Sequence, residues 1–333
     1  MSRKRKRKSN AGAGSSPKRH AKVSFSDRVS MPEEIAEGDR GNGESGNVLS
    51  HQPQSVGSSM PAPSKRVSFP TIDPSKIIYD EPAKRLGSGT FADVLKSKDG
   101  SFPGGLTVAV KVLKNVNTSD LEIIWKNLRK EAKAMQQVEH ENLCRFYGIS
   151  SVLAEPFLVM EYIPGCTLKN YVAHKDVIIE KEKLRIALEI ANGLEYLHKG
   201  TSKRIVHGDL HPNNIMVQNN RDRTVKIVDF GLARSIDGTE GGSTLSRNGR
   251  INPRYAAPEI AEGVKENLAT DVYAFGGVVN FIWTKKHPWV QVSSHNVAVT
   301  IMRLQILKKN PQLADDSILS RSPRLRSCWD NDA

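Results

Sequence analysis

A change of hydrophobic period partway along the chain constrains its fold more than any other feature. From about residue 77 the apolar residues come in short β-branched runs, such as TVAVKV at 107–112. After about Leu168 longer helical patterns dominate. A period of two marks strands and a period near 3.6 marks helices. Strands grouped before helices, instead of alternating with them, point to an α+β protein: a small sheet-containing lobe followed by a larger helical one.

The region before this is different in kind. Residues 1–75 are rich in Ser, Gly, Pro and charge, with Phe25 and Phe69 as their only aromatics. Such a segment buries too little apolar surface to offset its ordering entropy, so a disordered basic tail is expected there and a folded domain over 76–333. The net charge of +13 suggests acidic partners. Neither a membrane span nor a secretory signal is expected: no apolar stretch is long enough, and no apolar run follows the basic N-terminus. Cys144, Cys166 and Cys328 are odd in number and widely spaced, which fits a reducing compartment and gives no zinc pattern.

Within residues 119–137, Ile124, Leu128, Glu131 and Met135 recur at spacings of four, three and four, so they share one helix face. A carboxylate on an apolar face needs a cationic partner or a place at the solvated edge.

Candidate chemistry is concentrated in a few strings. LGSGTFADV at 86–94 is a glycine-rich loop whose backbone amides can approach a phosphate, with Ala92 in place of a third glycine. VAVK at 108–111 is a strand with an inward lysine that can hold phosphates as a point charge. Glu131 follows at a helix-length interval and supplies that lysine's partner. HGDLHPNN at 207–214 and DFG at 229–231 bring two acids and an amide. Asp209 can accept a hydroxyl proton, and Asn214 and Asp229 offer hard oxygens to Mg2+. APE at 257–259 closes the set.

In this order and spacing the strings resemble those of the eukaryotic protein kinase superfamily, most closely its tyrosine-kinase-like Ser/Thr group. The resemblance covers about three quarters of the chain, from about residue 77 onward. It implies a bilobal fold with an antiparallel N-lobe sheet and one helix over about 76–160, a hinge over about 161–166 and a C-lobe over about 167–333. It also implies ATP and Mg2+ as cofactors, a protein substrate, and Asp209, Lys111 and Glu131 as the catalytic set. Gly87 and Gly89 would cover the ATP phosphates, and Val94, Ala109 and Met216 would sandwich the adenine. Glu161 and Ile163 would offer it backbone groups, with Met160 closing the back pocket. Met135, Phe146, His207 and Phe230 resemble the apolar stack that couples helix position to the active state. Asp271 is expected to anchor the catalytic loop from a buried helix.

Several positions depart from the family pattern. Gly208 replaces an arginine that commonly pairs with a loop phosphate, so activity is expected to depend weakly on phosphorylation of Thr239, Ser243, Thr244 or Ser246. His211 stands in place of a lysine that touches the γ-phosphate. Asn252 takes the place of a threonine and could still hydrogen-bond the catalytic loop. The Ala-Ala-Arg type insert of tyrosine kinases is absent, which favours Ser/Thr specificity. The final helix, with the arginine that would pair with Glu259, is missing, so either a truncated chain or a marginal domain is expected. The alternative function is a catalytically weak pseudokinase, a scaffold that binds ATP and protein partners.

The tail carries motifs of its own. RKRKRK at 3–8 and PKR at 17–19 read as a nuclear-import signal bound by importin, as a nucleic-acid contact, or as a solvated tail. Localisation is accordingly nucleus, cytoplasm or both. KVSF at 22–25 and RVSF at 66–69 resemble the docking peptide of type-1 protein phosphatase, in which Val67 and Phe69 would fill pockets. Ser24 and Ser68 sit inside these peptides, where phosphate would oppose docking. KRVS at 65–68 also resembles a basic-directed kinase site.

Overall fold

Alternation along VAVKVL decides what each face of the N-terminal sheet carries. The structure, a computed structural model, describes residues 68–89, 92–114, 121–236, 251–263, 267–292 and 296–306. Six strands form one sheet: β1 (Thr71–Ile72), β2 (Arg85–Ser88), β3 (Ala92–Lys96), β4 (Val108–Leu113), β5 (Phe146–Ser150) and β6 (Phe157–Glu161). Their order is β1-β5-β6-β4-β3-β2. On β4, Val108 and Val110 point to one face, where they pack with Ile72, Ile77, Phe102, Phe157 and Val159. Ala109 points to the other face and joins the main core. Side chains two apart share a face, so Lys111 emerges beside Ala109 on the inner side.

Helix α1 (Leu121–Met135) packs there, burying Trp125, Leu128, Glu131, Ala132, Ala134 and Met135. Three of the four residues in the sequence-derived stripe are therefore buried. Ile124 is only half-buried, and Trp125 takes its place, its Nε1 donating to the Leu153 carbonyl at 2.8 Å.

The sheet is antiparallel, as expected, except at one edge. β1 pairs with β5 in parallel, Thr71 opposite Ile149 and Ile72 opposite Ser150. It lies inside the stretch that composition assigned to the tail. Two apolar residues in that polar stretch explain the difference. Ile72 is buried in the outer-face cluster and Phe69 is half-buried against the main one. The burial of Phe69 also bears on phosphatase docking, because a packed ring must leave the core before it can enter another pocket. Val67 and the first copy at 22–25 lie outside the described residues.

The C-terminal part is helical: α2 (Leu168–His174), α3 (Glu180–Glu195), α4 (Pro258–Ala261), α5 (Leu268–Thr284) and α6 (Val297–Ile306). α5 is apolar on nearly every side and lies in the middle of this part, as a helix without a polar face must. Asn267 caps it, its Oδ1 accepting from Ala269 N–H at 2.7 Å. Five short strands hold the loops between helices: β7 (Gly165–Thr167), β9 (Ile215–Gln218) and β10 (Val225–Ile227) in one sheet, with β8 (Ile205–Val206) paired to β11 (Arg234–Ser235). Among the described residues no helix is long and apolar enough to cross a membrane. The molecule is α+β, with its sheet in the N-terminal part and its helices mainly in the C-terminal part.

Candidate active site

Three charged side chains from distant parts of the chain meet at the inner face of the sheet. Lys111 Nζ on β4 donates to Glu131 Oε1 on α1 at 2.7 Å and to Asp229 Oδ1 at 2.9 Å. Glu131 thus has the cationic partner that its place on an apolar face requires. Asp229 follows β10 with φ +64°, a left-handed conformation uncommon for a residue with a side chain. Its Oδ1 also accepts from Gly231 N–H at 3.3 Å. Gly231 leaves room for the cluster, since a Cβ there would lie 3.1 Å from Asp229 Oδ1 and 3.5 Å from Lys111 Nζ.

Charge compensation holds Lys111 and Asp229 ionised. Burial alone would favour neutral Lys111, but the charges of Glu131 and Asp229 and their hydrogen bonds outweigh it and raise the pKa above its ordinary value. The Lys111 charge beside Asp229 outweighs burial in the other direction and holds that carboxyl at about 2.

A second cluster is built on the loop between β8 and β9. Asn214 Nδ2 donates to the Asp209 carbonyl at 2.9 Å and to Asp209 Oδ2 at 3.2 Å. His211 Nε2 lies 3.6 Å from Asp209 Oδ2, while its Nδ1 accepts from Asn213 N–H at 3.2 Å. An Nδ1 that accepts leaves the imidazole proton on Nε2, facing the carboxylate. Asn252 reaches Asp209 in a way the sequence did not suggest. Its backbone N–H approaches Oδ1 at 3.5 Å, and its side-chain oxygen turns back to accept from Arg254 N–H at 3.2 Å.

This loop is fastened from below. Asp271, almost fully buried on α5, accepts from His207 N–H at 2.8 Å, Gly208 N–H at 2.9 Å and His198 Nε2 at 2.9 Å. Gly208 has φ +76°, which glycine adopts without steric cost. His207 Nε2 donates to the Val228 carbonyl at 3.2 Å and Nδ1 accepts from Asp209 N–H at 3.3 Å. The His207 ring meets Phe230 edge-on at 5.3 Å. One imidazole therefore ties the Asp209 loop to the Asp229 turn.

The remaining candidate residues fall around these clusters. Ala109, Met135, Met160, Ile163 and Phe230 belong to the main apolar cluster, and Val94, Phe146 and Met216 pack against it. Glu161 ends β6, where its N–H donates to the Arg145 carbonyl at 2.9 Å. Gly87 lies on the edge strand β2, and Gly89 N–H donates to the carbonyl of Ala92 at 2.8 Å. The sequence reading missed Lys114. Its Nζ donates to Ser88 Oγ at 2.8 Å and to Gly89 O at 3.0 Å, and it pairs with Asp93 at 2.9 Å, clamping the glycine-rich turn. A lysine three residues beyond Lys111 carries no local signal of that role. Among the described residues Glu259 forms no ion pair, and Thr239, Ser243, Thr244 and Ser246 lie outside them.

A strand lysine tied to a helix glutamate and a turn aspartate, beside a loop aspartate anchored from a buried helix, defines the class as protein-kinase-like. The chain belongs to the protein tyrosine and serine/threonine kinase family, whose sequence profile matches residues 81–333. It is 30% identical over 235 residues to the probable serine/threonine-protein kinase PknB of Lactococcus lactis, covering 69% of this chain and 36% of that protein. It is 32% identical over 229 residues to rust resistance kinase Lr10 of Triticum aestivum, covering 64% of this chain and 34% of that protein. Against the serine/threonine-protein kinase PrkC of Bacillus subtilis the figures are 29% over 214 residues, 64% and 32%. The chain spans about a third of the length of these curated relatives.

Proposed function

We propose that the chain transfers the γ-phosphoryl group of ATP to serine or threonine hydroxyls of protein substrates. The pairing of Lys111 with both Glu131 and Asp229 carries this reading. It holds a permanent cation at the inner face of the sheet, partway along β4, in an orientation set by two carboxylates. Phosphoryl transfer asks the protein mainly for positioning and charge neutralisation, and a fixed lysine supplies both.

The other residues divide the remaining work. Asp209 is the general base: the substrate hydroxyl oxygen attacks the γ-phosphorus, the bond to the ADP oxygen breaks, and the hydroxyl proton passes to the Asp209 carboxylate. Asn214 Nδ2–H and Asn252 N–H donate to that carboxylate, and His211 Nε2 lies 3.6 Å from it. Asn214 and Asp229 fit a hard divalent cation such as Mg2+. Asn214 commits its amide nitrogen to Asp209, which leaves its oxygen as the available donor, and Asp229 is held ionised. When bound, the metal would neutralise phosphate charge. Among the described residues no third carboxylate, His or Cys completes a metal cage, so phosphates and water would supply the remaining ligands.

Phosphate transfer from labelled ATP to a mixed basic protein substrate, with Mg2+ present, tests the reading when the parent is run beside Asp209→Asn. Transfer by the parent alone, with label on serine or threonine, is expected. Label on tyrosine would refute the specificity. No transfer by either, from protein shown to be folded, would favour the ATP-binding scaffold instead.

A further inference from the structure

Ser68 and Phe69, the last two residues of the second basic-Val-Ser-Phe copy, are part of the described fold. Phe69 is half-buried against the main apolar cluster, while its neighbour Ser68 is exposed. The Ser68 carbonyl accepts from Gln136 Nε2 at 3.2 Å, and Gln136 directly follows α1. The next carbonyls run along β5: Ile149 N–H donates to Pro70 O at 3.0 Å and Ser151 N–H to Ile72 O at 2.9 Å. Gly148 permits this approach, since a Cβ there would lie 2.6 Å from Pro70 O. The segment is a strap from the end of α1 to β5. Glu131 lies little more than one turn before Gln136, so the strap holds the end of the helix that carries the partner of Lys111.

The exposed hydroxyl of Ser68 follows Lys65, Arg66 and Val67. A basic pair two and three residues before a serine is a charge pattern that an acidic kinase groove selects. We propose that Ser68 is a phosphorylation site for a basic-directed Ser/Thr kinase, and that phosphate there releases the strap from α1. In the modifying step Ser68 Oγ attacks the γ-phosphorus of ATP and forms the new O–P bond. The bond from that phosphorus to the β,γ-bridging oxygen breaks, ADP leaves, and the hydroxyl proton passes to the modifying kinase's catalytic carboxylate.

The product carries roughly two negative charges. They arrive beside the C-terminal end of α1, the negative end of the helix dipole. Like charges repel, and a hydrated phosphate next to Phe69 opposes the burial that seats the strap. The opposing possibility is Lys133 in the last turn of α1, which could pair with the phosphate and tighten the strap. The effect on activity rests on the kinase reading above: α1 loosens, Glu131 leaves Lys111, and transfer falls.

The test compares the full chain carrying phosphoserine installed at position 68 with the parent and with Ser68→Ala. Hydrogen exchange is read at the amides of Ile149 and Ser151, which are bonded to the strap. Exchange at least about ten-fold faster in the phosphoserine protein, with parent-like rates in Ser68→Ala, is the expected result. Unchanged exchange would overturn the proposal, and slower exchange would do so in favour of pairing with Lys133. The parent is also incubated with a basic-directed kinase and ATP and mapped by mass spectrometry. Phosphate on Ser68 supports the site, and a bare Ser68 overturns it. Faster exchange in a protein whose parent shows no transfer would leave the strap standing and remove the kinase reading alone.

Discussion

Replacing Asp271 by asparagine isolates what fastens the catalytic loop. The carboxylate accepts three hydrogen bonds, with Oδ2 taking His207 N–H and His198 Nε2 and Oδ1 taking Gly208 N–H. An asparagine keeps one acceptor. Its best orientation turns the oxygen to His207 and His198 and sets its NH2 against Gly208 N–H, donor against donor. The two surviving bonds lose their charge assistance, about 1 kcal/mol each, and a buried amide left unpaired costs about 1–3 kcal/mol. The sum is about 3–5 kcal/mol, against roughly 5–15 kcal/mol for a whole domain. The freed amide belongs to Gly208, next to Asp209, so kcat should fall in whatever fraction stays folded. Urea unfolding of parent and variant gives the stability difference, and transfer per folded molecule gives the second effect. A variant within about 1 kcal/mol of the parent would refute the claim that both amides depend on a charged acceptor.

Three further outcomes follow from single contacts. Gly165→Ala would put a Cβ 2.0 Å from the Val217 carbonyl and 2.9 Å from Gln218 Cα, both backbone atoms, so a loss of about 1–3 kcal/mol is expected in thermal unfolding and a parent-like melting temperature would contradict it. His211→Lys replaces a single Nε2–H donor with a full charge and should raise kcat about two- to ten-fold in steady-state transfer, or about 0.4–1.4 kcal/mol; a fall would show that the imidazole is specifically needed. The folded pKa of Asp229, about 2, lies below its ordinary 3.8, so its pairing with Lys111 stabilises fully above about pH 4 and is lost as pH falls through about 2. Lys111 is shifted the other way and keeps its charge to alkaline pH. The stability gap between parent and Asp229→Asn should therefore stay flat near neutrality and close only in acid, and a gap closing near pH 6 would show that another group governs it.

Local rules explain which site features were legible beforehand. The inward direction of Lys111 follows from alternation on β4, and the place of Glu131 on the apolar face of α1 follows from its spacing to Leu128 and Met135. Each depends on dihedral geometry within one element, and a sequence displays that directly. The clamp made by Lys114 was not legible, because it depends on β3 and β4 lying side by side. Nor was the strap. Phe69 is one aromatic in a polar stretch, and composition averaged over that stretch hides it. Asn252 shows a third kind of miss: its position was identified, but its backbone makes the contact with Asp209 and its side chain does not.

The sequence by itself determined the order of strands and helices, the faces on which Lys111 and Glu131 emerge, and the chemical kinds of group available. Those depend on the period of the backbone and on side-chain chemistry. The tertiary structure alone decided which groups meet. Lys111 and Asp229 are 118 residues apart in the chain and 2.9 Å apart in space, and Asp271 reaches back 64 residues to the His207 amide. Such meetings are set by how the sheet, α1 and α5 pack. Where packing removes water, each charge needs a partner, so burial converts scattered acids and bases into a site.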